Sequence, residues 1–218
     1  MIDFRTLQLA DSAFPTGGFA HSSGLEAAWQ RGEVTSAAAL DRFVRDCLWQ
    51  AGHGMLPLAS AAHRAPGRLE ELDAFADCWL TNPVANRSSR MQGRAFASTG
   101  ARVWPGPATL DLEARVQRIC GHAGPVIGAV HHALDLPLDT CQRLILFNTV
   151  RGLFAAAVRL GIVGSYQAQA MQDAGSRELE RVLAQCSSLG LDDVAQTAPV
   201  LDLIQASHDR LYSRLFQS

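Results

Sequence analysis

The stretch Leu7-Gln8-Leu9-Ala10-Asp11-Ser12-Ala13-Phe14-Pro15-Thr16-Gly17-Gly18-Phe19-Ala20-His21-Ser22-Ser23-Gly24-Leu25-Glu26 decides how the chain is read. Leu7, Leu9 and Ala10 begin as helix. Pro15 breaks it, because proline has no amide proton and its ring clashes with the preceding turn. Gly17 and Gly18 open positive φ to the backbone. Ser22 and Ser23 can cap a new helix, and Glu26 follows Ser23 at capping-box spacing. The stretch therefore reads as helix, tight bend, helix, with Phe19 and His21 presented at the bend.

The same punctuation recurs along the chain. Leu40, Phe43, Val44, Cys47, Leu48 and Ala51 form one apolar stripe, so a helix is expected over 36–51, capped by Thr35 or Ser36. Further helices are expected near 53–63, 69–79, 83–100, 110–120, 121–134, 137–160 and 165–186. Pro83 suits a first helical turn, where its missing N–H costs little. The segment from Pro137 to Leu160 is apolar on most faces and reads as a central helix ended by Gly161 and Gly164. A last helix from Pro199 is expected to carry Leu201, Ile204, His208, Leu211 and Leu215 on one face. No stretch alternates over strand length, and no repeat or linker divides the chain. The expectation is one all-α domain over residues 1–218, a compact bundle of roughly eight to ten helices.

Composition bounds the function. The 218 residues are 48% hydrophobic and only 18% charged, below the usual share of about 25%. That balance hints at apolar surface covered by a partner. A net charge of −2 gives no bulk attraction to nucleic acid or an anionic membrane. Five cysteines without C-x-x-C spacing read as buried free thiols in a reducing, cytoplasmic setting. Met1-Ile2-Asp3-Phe4-Arg5 lacks the features of a signal peptide. The longest apolar region is interrupted by Asn148, Arg151 and Arg159, so it reads as a buried helix and not a membrane span.

Several chemistries can be weighed from residue types. The chain contains no lysine, all 19 basic residues being arginine, which removes a Walker phosphate loop and lysine Schiff-base chemistry. Ala20-His21-Ser22-Ser23-Gly24 is one substitution from the G-x-S-x-G elbow, so a serine hydrolase using Ser22 is one alternative. That elbow needs a strand before it, and Pro-Thr-Gly-Gly is not one. Arg87, Arg90 and Arg94 share a helix face and could hold an anion or nucleic acid, or pair with carboxylates of neighbouring helices. His131 and His132 point about 100° apart on a helix and cannot chelate one ion as an i, i+4 pair would. The other histidines stand alone in sequence. No metal ligands are therefore assigned, although distant residues could still assemble a site. Tyr212, Leu215 and Phe216 are costly to leave in water, so the last segment either packs on the chain itself or docks a partner.

The bend resembles the N-terminal motif of the UreF family of urease accessory proteins. That motif runs S-x-x-P-x-G-(A/G)-(F/Y)-x-(H/Y)-S-x-G-L-E, matched here by Ser12, Pro15, Gly17, Gly18, Phe19, His21, Ser22, Gly24, Leu25 and Glu26. Arg87, Ser89, Arg90, Gly93 and Arg94 are similar to a second family segment, and Gly121, His122, Pro125, Val126 and Gly128 to a third. Arg151 and Arg159-Leu160-Gly161 fit a fourth, with Gly152 where the family often has asparagine. The last residues, from His208 through Tyr212-Ser213-Arg214-Leu215-Phe216 to Ser218, resemble the family's closing motif. The resemblance implies an all-helical, non-enzymatic scaffold that forms a homodimer. It implies binding to UreD (UreH in some systems) and recruitment of the GTPase UreG for GTP-dependent nickel insertion into apo-urease. No cofactor is expected to be held firmly by the chain; nickel and GTP are handled by the assembled complex. Carried over by position, the partner-facing residues are Phe19, His21, Tyr212, Arg214 and Phe216, with the Arg87, Arg90 and Arg94 face beside them.

Overall fold

Proline, glycine and capping side chains set the boundaries of twelve α-helices in the computed structural model, which describes residues 3–218. Met1 and Ile2, part of the segment read for a signal peptide, lie outside the described residues. The helices are α1 (Phe4–Ala10), α2 (Leu25–Gln30), α3 (Ala37–His53), α4 (Met55–Arg64), α5 (Leu69–Trp79), α6 (Pro83–Val103), α7 (Pro107–Val116), α8 (Ala123–Ala133), α9 (Leu138–Arg159), α10 (Ser165–Ala174), α11 (Ser176–Cys186) and α12 (Pro199–Ala206). Nine of them have ten residues or more, and the described residues form no strand. The all-α expectation holds, with twelve α-helices among the described residues where roughly eight to ten were expected. No described helix is long and apolar enough to cross a membrane.

Local chemistry explains most boundaries. Ser36 caps α3 by accepting the Ala39 N–H at 3.2 Å. Asn82 caps α6 by accepting the Val84 and Ala85 N–H groups, with Pro83 at the first position. Gly161, at φ 72°, ends α9: the Ile162 N–H reaches the Ala157 carbonyl and the Gly161 N–H reaches that of Val158. These are the two bonds of a Schellman motif, which needs a left-handed residue at that point.

Several boundaries differ from the sequence reading; the helix expected over 110–120 runs Pro107–Val116, with Pro107 in its first turn. The expected helix over 165–186 divides at Gly175 into α10 and α11. The α11 stripe of Leu179, Val182, Leu183 and Cys186 packs in the core around α3 and α9. The last helix stops at Ala206, so His208, Leu211 and Leu215 share no helical face; a single 3-10 turn follows at His208–Arg210. Glu26 closes no capping box with Ser23, because its carboxylate is engaged elsewhere.

Two apolar clusters share α4 and α9. One gathers Leu40, Val44, Leu48, Ile145, Leu153 and Val182; the other gathers Phe14, Leu72, Phe96, Val126, Val130 and Leu144. The helix α8 is buried along most of its length and lies between α4 and α6. Its small residues allow this approach, since a Cβ on Gly128 would fall onto the Ala59 main chain. His131, also on α8, is buried, sets its ring edge against Phe96, and leaves Nδ1 without a hydrogen-bond partner among the described residues. Burial first, and then His63, depresses its pKa to about 3.

Two measurements test this packing. Gly128→Ala should cost about 1–3 kcal/mol by overpacking. Gly152→Ala, on α9 with open space around its Cβ position, should stabilise by about 0.5–1 kcal/mol. Denaturant melts compare the two. For His131 the unfolded chain binds the proton first. Stability is therefore complete above about pH 6.5 and is lost as pH falls toward 3, by up to about 1.4 kcal/mol per pH unit. His131→Leu should flatten that part of the stability profile by one proton.

Candidate functional site

The bend 11–24 turns where glycine permits it. Gly17 and Gly24 lie at φ 75° and 85°, Ser23 at 52°, and a 3-10 turn at Gly18–Ala20 joins them. The bend is completed by the far end of the chain. Glu26, on the first turn of α2, is 2% exposed. Its carboxylate accepts the Leu215 N–H at 2.6 Å and the Phe216 N–H at 3.1 Å, and meets His208 Nε2 at 3.1 Å. Hydrogen bonds to an ionised acceptor are the strong ones. Beyond them the Gln217 N–H donates to the Ala20 carbonyl, and both the N–H and Oγ of Ser22 donate to the Ser218 main-chain oxygen. His21 Nδ1 lies 2.6 Å from Ser218 Oγ. Residues 208–218 thus form a strap laid over the bend.

The strap sorts the sequence-predicted residues into inner and outer sets. Phe19 is 70% exposed and Tyr212 fully exposed. Arg214 reaches the surface beside Asp209. His21 and Phe216, expected to face a partner, are instead buried. His21 is consumed by its contact with Ser218, and burial, then the charges of Arg87 and His208, lower its pKa. Phe216 packs under Arg159, whose guanidinium carbon lies 4.2 Å from the Phe216 ring centroid and 3.8 Å from that of Phe19. Arg159 also donates to the Phe19 carbonyl.

The three arginines do share a face of α6, but they work separately. Arg87 grips Asp209 through both guanidinium nitrogens at 2.8 and 3.2 Å, and so holds the strap; this pairing draws the Asp209 carboxyl below its usual range. Arg94 donates to the carbonyls of Ile119 and Cys120. Neither Arg90 nor Arg94 makes an ion pair among the described residues. A free basic field for nucleic acid is not formed. Ser22 is 1% exposed with its hydroxyl donated to Ser218, and no imidazole stands on its Oγ, so the hydrolase geometry is absent.

A second polar nest lies at the link from α7 to α8. Asp73, on α5 and 2% exposed, accepts the Cys120 N–H at 2.8 Å and the His122 N–H at 2.6 Å. Ser89 stands 3.2 Å from His122 Nδ1, and Asp77 Oδ1 stands 3.1 Å from Nε2. Hydrogen bonds from Asn86 and His122 hold the Asp77 carboxyl below its ordinary range. Gly93 is required here, since a Cβ would strike the Gly121 carbonyl. Sequence reading missed Asp73, although the signal was present. It sits at the i+4 position of the apolar stripe Leu69, Leu72, Ala76, where a carboxylate must be buried and satisfied. The five cysteines are free, as expected, but only Cys141 and Cys186 are buried; Cys47 and Cys120 are half-buried and Cys78 is exposed.

Fold and site together define an all-helical protein whose polar contacts fasten its own last residues over a glycine bend, leaving Phe19, Tyr212 and Arg214 outward. Comparison with known proteins then places it: the chain belongs to the UreF family of urease accessory proteins, which are not enzymes, its family model matching residues 34–174. The chain is similar to urease accessory protein F of Arabidopsis thaliana, at 36% identity over 217 residues, 97% of this chain and 90% of the relative. It is 34% identical to urease accessory protein F of Oryza sativa subsp. japonica over 215 residues, covering 96% and 82%. Urease accessory protein UreF of Mycobacterium tuberculosis is 32% identical over 218 residues, covering 97% of each.

Glu26 is the test of the strap. Glu26→Ala should strip two amides and His208 of their acceptor and cost about 1–3 kcal/mol. Hydrogen exchange at Leu215 and Phe216 should quicken at least about tenfold while helical circular dichroism stays within a few per cent.

Proposed function

We propose that the chain is a non-enzymatic scaffold of urease maturation in the cytoplasm. In this reading it acts as a homodimer that binds UreD (or UreH). The pair recruits the GTPase UreG, and the assembly inserts nickel into apo-urease in a GTP-dependent step. The observation that carries the reading is the strap: it holds Tyr212 wholly in water, with Phe19 and Arg214 also outward. Aromatic and arginine side chains held rigidly outward are the usual anchors of a protein interface, because they bury much area for little lost side-chain freedom. Family membership over nearly the full chain supports the choice of partner. Exposed apolar side chains on α12, Val200 and Leu203, offer further surface for a second contact.

Co-purification with its own UreD and UreG, with molar mass read by light scattering, tests the proposal. A stable complex with an even number of copies of this chain is expected. Tyr212→Ala should weaken partner binding at least about tenfold. It should not move the melting temperature, because the side chain touches water only. Removal of residues 207–218 should abolish binding while most helical signal remains. Partners that fail to bind the intact chain, or that bind Tyr212→Ala as tightly, would overturn the reading.

A further inference from the structure

We propose that Asp77, Cys120 and His122 form a binding site for one late first-row transition-metal dication. The inference does not rest on the scaffold reading. A carboxylate oxygen of Asp77, Cys120 Sγ and a ring nitrogen of His122 all lie within 4.8 Å of one another. They come from the end of α5 and the link before α8, so no sequence spacing reveals them. One oxygen, one sulfur and one imidazole nitrogen suit ions of zinc-like softness and do not suit magnesium or calcium, which take oxygen cages.

The surroundings are those of a built site. Metal ligands need an outer layer that fixes their direction. Asp73 takes the amides of both Cys120 and His122. Arg94 takes the carbonyls of Ile119 and Cys120, and Gly121 between the two ligands adopts φ 79°. Ser89 occupies Nδ1 of His122, which leaves Nε2 directed at Asp77. The imidazole is wholly buried, whereas Asp77 is exposed and Cys120 partly so. The ligands thus approach from a rigid floor with the solvent side open. Three protein ligands and one open position describe an accessible site and not a closed structural one.

Charge and distance are compatible with an ion. Carboxylate and thiolate cancel two positive charges, and the thiol gives its proton to solvent as sulfur binds. Bonds of about 2.0–2.3 Å in a tetrahedron need donors about 3.3–3.8 Å apart. Asp77 Oδ1 already lies 3.1 Å from His122 Nε2; Cys120 Sγ, within 4.8 Å of both, needs at most about 1 Å of closure, which rotamer adjustment supplies. Arg90, the neighbouring cation, is exposed and free to swing outward. A hydrogen-bonded His122–Asp77 pair that merely steadies the link is the competing account, and it requires nothing of Cys120.

Cobalt(II) titration of the untagged full chain without oxygen separates the two. About one equivalent should bind, with a thiolate-to-cobalt charge-transfer band that zinc abolishes by competition. Cys120→Ser should remove the band, and Asp77→Asn should weaken binding at least about tenfold, the effect that loss of even an outer-layer partner produces. Cys78→Ser, one residue from Asp77 but outside the cluster, should bind as the native chain does. All three positions reach the surface, and thermal melts verify folding. Absence of the band in the native chain, its survival in Cys120→Ser, or its loss in Cys78→Ser would overturn the proposal.

Discussion

A buried carboxylate cannot be left without partners, and Glu26 makes that rule the constraint on both ends of the described chain. Its desolvation is repaid only when Leu215, Phe216 and His208 come to it. The strap is therefore a requirement of α2 and not an ornament on it. The other contacts agree in direction. Arg87 pins Asp209, Gln30 takes the Ser213 carbonyl, and Ser22 takes that of Ser218. Each is modest, but all fasten the same segment, residues 208–218, so they form or fail together.

The link around Cys120 follows the same logic further along α6. Asp73 is buried in an apolar stripe and is satisfied only by the amides of residues 120 and 122. Gly93 lets the link approach closely enough for this, and Arg94 answers the carbonyls that point the other way. The arginine face of α6 thus has two structural duties, strap and link, at opposite ends of one helix turn pattern.

What could be read from sequence was the local physics. Ser36, Asn82-Pro83 and Gly161 mark helix ends through bonds to their own neighbours, and the structure keeps each. The division at Gly175 was hidden, because Met171, Leu179 and Val182 keep helical spacing across it. The end of α12 was hidden for a similar reason: Ile204, His208, Leu211 and Leu215 are periodic, yet Leu215 bends out of helix to an acceptor 189 residues away. At the candidate site Phe19 and Tyr212 lie on the surface, whereas His21 and Phe216, read with them as partner-facing, are buried. Only the folded strap shows what covers them, because residue type does not tell which side a position faces.

The stack of Phe19, Arg159 and Phe216 ties an outer ring to an inner one through a single cation. Anything that covers Phe19 also removes water from Arg159, and a less hydrated guanidinium attracts the face of Phe216 more strongly. Occupancy of the surface and order of the strap are then thermodynamically linked. By reciprocity, whatever loosens residues 208–218 would lower, by the same factor, the affinity of any partner that covers Phe19. The stack would then make the chain a two-port device, in which a contact made outside is registered as firmness within.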